Sequence, residues 1–206
     1  MAKKKRNKKQ SVFIALEGKR ERTFLYFLQS IFDSEKRINL NIHPDLGGTS
    51  NAILARALKA PGFDKIYAWF DEDDKLDTDW KSELGKRWKV TIDASVPDKG
   101  LQDLNTENRK PTIIVSNPLS IEGLLIRLFE HKLPNFKEPL FEEDNLDKNK
   151  KMIKSALKGI FGKKDETEFY KENLSKEYIL KKAEDIEELR LLLSIFDITY
   201  SYKWDD

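Results

Sequence analysis

The sequence predicts an α/β fold: an open, mainly parallel sheet with helices on both faces, followed by a helical C-terminal extension. Three observations predict it. Apolar runs of strand length at 11–16, 65–70 and 112–116 are continuous rather than alternating, as in strands covered on both faces. Segments with apolar residues at helical spacing lie between them. From about Pro134 the composition changes, and residues 142–206 are charge-rich and read as two or three helices. The expected organisation is a disordered basic arm at 1–10, an α/β core at 11–134 and a mainly helical extension at 135–206.

The elements follow in order. Residues 11–16 form the first strand, which ends in Glu17-Gly18. Phe24, Leu25, Phe27, Leu28, Ile31 and Phe32 share one face of the helix after it. A short strand is expected at 38–42, then a turn at 46–50, where Thr49 or Ser50 caps a helix carrying Ile53, Leu54, Ala57 and Leu58. Pro61-Gly62 ends that helix. The strand at 65–70 runs directly into Asp71-Glu72-Asp73-Asp74. A helix through Trp80, Leu84 and Trp88, a weaker strand near 90–92 and a polar loop at 97–110 come next. After the strand at 112–116, Asn117-Pro118 reads as cap and first turn of a helix with Ile121, Leu124, Leu125 and Leu128. In the extension the best helix runs unbroken from Tyr178 to Phe196. Its long apolar face is expected to dimerise or dock a partner, because the sheet has covering helices of its own.

Composition narrows the function. The 206 residues include 12 Phe, 6 Tyr and 4 Trp, ample material for a core. Basic and acidic residues nearly balance at 38 and 36, but Lys3, Lys4, Lys5, Arg6, Lys8 and Lys9 crowd the first ten positions. The remainder therefore carries 32 basic and 36 acidic side chains, a net of −4. The arm is open to two readings, a solvated tail or attraction to a phosphate backbone. With no cysteine there is no disulfide framework, thiol nucleophile or Cys-ligated metal. Only His43 and His131 are present, which excludes multi-histidine sites, and both read as surface residues. No run approaches the roughly 20 apolar residues of a membrane span. A cytoplasmic protein is expected.

In open parallel sheets, ligands sit at the carboxyl ends of the strands, where the strand order reverses. Adjacent first and third strands would bring Glu17, Asp71 and Asp73 to one edge. Three carboxylates in a small volume repel one another unless a cation neutralises them, and oxygen-only ligation suits Mg2+ or Mn2+. Such an ion stabilises charge on a phosphodiester and can generate an attacking hydroxide. The plainer reading makes Asp73, Asp74 and Asp77 caps of the following helix. Gly18, lacking a Cβ, would let a substrate approach the backbone.

Rival motifs fail. No GxxxxGK[ST] loop is present, and no GxGxxG follows the first strand. The turn Gly47-Gly48-Thr49-Ser50 reads as turn and cap rather than phosphate cradle. A haloacid-dehalogenase-type phosphatase uses DxD on its first strand with Thr or Val two residues on, where this chain has Lys75.

A strand ending in Glu17-Gly18, with a later strand ending in Asp71-Glu72-Asp73, resembles the Toprim domain of topoisomerases, primases and several nucleases. Three stretches are similar to the RloB-like and overcoming-lysogenisation-defect branch of Toprim nucleases. These are Glu17-Gly-Lys-Arg-Glu21 with Tyr26-Phe27, then Phe70-Asp71-Glu72-Asp73, then Ser116-Asn117-Pro118 followed by Glu122 and a Leu-rich helix. The likeness covers residues 11–130. This chain departs from the pattern in its shifted Thr-Glu pair, which leaves Glu21 and Thr23 around Arg22, and in one extra residue before Glu122.

The resemblance implies a Mg2+-dependent nuclease of antiviral or abortive-infection defence, sometimes working beside an ATPase partner. In that reading Glu17 is general acid/base or metal ligand, and Asp71 and Asp73 are metal ligands. Glu21 and Glu122 complete a second metal site or orient water. Lys19, Arg20 and Lys75 are candidate phosphate contacts. Two alternatives stay open: a catalytically inactive nucleic-acid- or partner-binding module on the same fold, and a metal-dependent phosphatase.

Overall fold

In the computed structural model, apolar runs buried on both sides form the core strands β1 (Gln10–Leu16) and β3 (Lys65–Asp71), while β2 (Ile38–Pro44) lies at the sheet edge and alternates Ile38, Leu40 and Ile42 with exposed Asn39, Asn41 and His43. Two-residue strands β4 (Thr91–Ile92) and β5 (Leu101–Gln102) precede β6 (Thr112–Ser116). The main sheet is wholly parallel, in the order β2-β1-β3-β6. The structure describes residues 9–44, 50–60, 62–71, 91–92, 101–102, 111–116, 120–132 and 146–198. Most of the arm, Asp73, Lys75, Thr49 and the expected helix through Trp80, Leu84 and Trp88 lie outside them.

Side chains alternate across each strand and so divide the core in two. Val12, Ile14, Leu16, Tyr67, Trp69 and Ile114 face one layer, whose helices are α1 (Lys19–Phe32) and α3 (Ile121–Phe129). Phe13, Ala15, Ile66, Ala68, Phe70 and Ile113 face the other, where α2 (Ser50–Leu58) supplies Ile53, Leu54 and Ala57. Gly62, at φ +87, turns the chain after α2 into β3. Asp64 aligns that strand by accepting the Ser11 N–H and hydroxyl, each at 2.7 Å.

The register sets the functional edge. Leu16 lies opposite Trp69, and Asp71 opposite Ser116. Glu17 and Asp71 therefore leave neighbouring strands at the same end, at the point where the order reverses.

Four segments depart from expectation. The strand near 90–92 pairs antiparallel with residues 101–102, inside the expected loop, and does not join the main sheet. The helix after β6 starts at Ile121, with Ser120 extended at the cap position. Asn117 and Pro118, the expected cap and first turn, lie outside the described residues. The helix expected over 178–196 is two, α6 (Lys176–Lys182) and α7 (Glu187–Ser194), which follow α4 (Leu146–Phe161) and α5 (Glu166–Asn173). Arg190 explains the break, because its Nη1 donates to the carbonyls of Ala183 (3.3 Å) and Glu184 (2.7 Å) where α6 ends.

The fourth departure is the fate of the apolar face. α4 packs along α3, α5 along α1 and α7 on β6. Ile179, Ala183, Leu189, Leu192 and Leu193 are fully buried in the same cluster as the sheet. The face expected to wait for a partner is thus spent on the core. No helix among the described residues is long and apolar enough to cross a membrane.

Candidate functional site

Glu17 follows β1 directly, and its Oε2 accepts the backbone N–H of Asp71 at 3.2 Å. This bond ties the two strand ends together. Asp71 is buried at the last position of β3, and its Oδ1 accepts the N–H of Ile121 at 2.9 Å. Its carboxyl thus sits at the opening turn of α3, where the unpaired N–H groups of a helix favour an acceptor.

Glu21 lies in the first turn of α1 and is only 3% exposed. A Cβ on Gly18 would stand 2.9 Å from Glu21 Oε2. The space that glycine opens is therefore filled by this chain's own carboxylate rather than left for a substrate. Gly18 itself is extended, at φ −145, so room and not backbone strain is what it provides. Glu122, buried in the first turn of α3, is the fourth acid.

The acids feel one another. Burial, then the charges of Glu21 and Glu17, push the Asp71 carboxyl up to about 9. Burial, then Glu17 and Glu122, push Glu21 up to about 7, with Arg20 opposing. Both shifts express negative charge withdrawn from water, with no cation of matching strength beside it among the described residues.

Arg20 is the cation that meets these acids directly. Its Nη1 donates to Glu122, while Nε and Nη2 donate to Glu166 Oε1 at 3.0 and 2.7 Å. The sequence reading makes Arg20 a phosphate contact; the guanidinium is instead forked between two carboxylates. Lys19 is exposed at the start of α1. His43 and His131 are exposed, and His131 Nδ1 stands 3.0 Å from the Tyr178 hydroxyl.

Glu166 is the residue that sequence reasoning missed. It opens α5, far along the chain from Arg20, and its other oxygen accepts the Tyr170 hydroxyl at 3.4 Å. Tyr170 is fully buried against Phe24, Phe27, Phe129 and Phe161. An aromatic layer from four helices, α1, α3, α4 and α5, thus supports the charged one. Ser116, noted for its place before Asn117-Pro118, serves packing, since its Oγ accepts the buried Trp69 indole N–H at 2.8 Å.

The donor set suits a hard cation, since Glu17, Glu21, Asp71 and Glu122 offer oxygen alone and carry excess negative charge. Among the described residues their oxygens are not gathered into ligating positions. Asp73, the other expected ligand, lies outside those residues. No protein-family model matches this chain, and no curated protein or solved structure matches it either.

Proposed function

We propose that this protein is a Mg2+- or Mn2+-dependent nuclease of Toprim type that hydrolyses nucleic-acid phosphodiesters. One observation carries the reading. Glu17, Glu21, Asp71 and Glu122 approach one another at the carboxyl end of β1 and β3, and two of them are driven towards protonation. Glu17, Asp71 and Asp73 would hold the metal, with Glu21 and Glu122 beside them. A bound divalent ion supplies charge neutralisation at the phosphate and lowers the pKa of water. The chain's own contribution is to hold the acids in place. The Asp71 N–H fixes Glu17, the Ile121 N–H fixes Asp71, and Gly18 leaves room for Glu21.

A buried carboxyl with a raised pKa also suits proton transfer near neutral pH, and Glu21 fits that role. The reading places the protein in the cytoplasm, in antiviral defence, with an ATPase or a second copy of this chain as candidate partners. A second reading, a binding module without activity, draws on Arg20, which already neutralises Glu122.

The test is direct. The protein is incubated with labelled tRNA, plasmid and single strands, with Mg2+, Mn2+ or EDTA. Metal-dependent fragments that vanish in Asp71→Asn and Glu17→Gln support the nuclease. Binding without cleavage supports the module. Turnover of a chromogenic phosphate monoester, with no nucleic acid cut, supports a phosphatase.

A further inference from the structure

A cleft beside Glu122 is rich in basic side chains. It encloses about 530 Å3, and Lys154, Lys158 and Lys164 line it together with Arg20, Glu122 and Glu166. Arg20 is engaged by its two acids, and Lys164 by Glu172. Lys154 and Lys158 are exposed and have no acidic partner among the described residues. They are four residues apart on α4, so their side chains leave the helix side by side, about 6 Å apart along its axis. The adjoining stripe of α4 buries Ile153, Leu157 and Phe161, and Leu157 and Phe161 line the cleft together with the two lysines.

The local charge is unlike that of the rest of the protein. α4 carries five lysines and one aspartate, whereas the chain beyond the first ten residues has a net charge of −4. Glu122 lines this cleft and also acts on the charges of Asp71 and Glu21. Lys154 and Lys158 therefore share one space with Glu122, a member of the acidic group.

We propose that this cleft seats the sugar–phosphate backbone of the nucleic acid, with Lys154 and Lys158 contacting successive phosphates beside the carboxylate group. The proposal rests on the nuclease reading and extends it to how substrate is held. Ammonium groups act as point charges on phosphate, and the guanidinium that could fork onto a base edge is already committed. The cleft accordingly reads charge and not sequence.

The test is a binding titration of the full chain in EDTA, so that turnover does not intrude. A labelled single strand and a duplex are titrated from about 50 to about 200 mM salt. Lys154→Ala/Lys158→Ala is compared with Lys171→Ala/Lys181→Ala, an equal charge change at exposed positions outside the cleft. The expected result is weaker binding by the first variant, with a single-strand salt slope shallower by about 1.4, or about 0.7 for each lost contact. The second variant should bind like the parent.

Equal loss in both variants, or none in the first, overturns the proposal while metal-dependent cleavage by the parent leaves the nuclease reading standing. Selective loss in the first variant, with no cleavage under any metal, keeps the cleft and removes the nuclease. A parent that cuts nothing and binds no nucleic acid at any salt overturns both.

Discussion

The Asp71 carboxyl accepts the backbone N–H of Ile121 at 2.9 Å, so one side chain both closes the start of α3 and belongs to the acidic group that holds its proton up to about pH 9. These two roles can be separated. Asparagine keeps an acceptor and loses the charge; alanine loses both. Without metal at pH 8, Asp71→Asn should melt above the parent, because the amide is neutral without the proton that folding draws onto Asp71 at that pH. Asp71→Ala should fall below Asp71→Asn by about 1–3 kcal/mol, the cost of an unpaired buried N–H. In a chain of this size that is roughly 2–4 °C of Tm per kcal/mol. Equal melting of the two variants would show that the bond to Ile121 carries no weight.

The same acids set a pH dependence. An unfolded chain releases the protons of Asp71 and Glu21 near pH 4. The folded chain keeps them until about 7 for Glu21 and about 9 for Asp71. Between these limits the native state binds more protons, so stability falls as pH rises. The contribution is fully present below about 4 and lost in steps towards 9. Melting in EDTA should therefore drop from pH 5.5 to 8.5. Added Mg2+ should restore stability, most strongly at the alkaline end. Glu17, Glu122 and Arg20 face the same space, so Asp71→Asn should flatten the profile and leave a residue of slope.

Gly18 and Glu21 should be coupled. A methyl group on Gly18 meets the Glu21 carboxylate at 2.9 Å, so Gly18→Ala forces that buried side chain to move. Overpacking of this kind costs about 1–3 kcal/mol. Glu21→Ala removes the obstacle, so the double variant should regain most of the loss. Denaturant titrations of the four proteins measure this coupling, and strictly additive effects would sink the steric account.

Strand identity was legible because continuous apolar runs at 11–16, 65–70 and 112–116 must be covered on both faces. The placement of Glu17 and Asp71 followed from strand ends in parallel register. Arg20 and Glu166 were not legible. They meet across 146 positions, and neither residue type announces its partner. The break between α6 and α7 was hidden for a different reason. No glycine or proline marks it, and the carbonyls it frees are satisfied by Arg190, a residue with good helix propensity that gives no stop signal. Periodicity shows that a face is apolar and does not show what covers it.

That last point makes the C-terminal helices a decisive place to cut. Removing residues 142–206 from a protein with an independent sheet core would leave a folded fragment, and an appended docking helix could be lost without harm. Here Leu157, Tyr170, Leu189, Leu192 and Leu193 are buried in the layer that covers Trp69 and Ile114. Each such side chain contributes about 1.5–3 kcal/mol by burial. Those five alone rival the roughly 5–15 kcal/mol of net stability that a whole domain possesses. The cut would also strip Glu166 from Arg20 and lift the aromatic support of Tyr170 from α1. Residues 1–141 should accordingly fail to give a cooperative melt and should bind a dye that reports exposed apolar surface. A milder variant, Leu192→Ala, should keep the fold and cost about 2–5 kcal/mol through the cavity it opens. A sharply melting 1–141 fragment would place the extension outside the core after all.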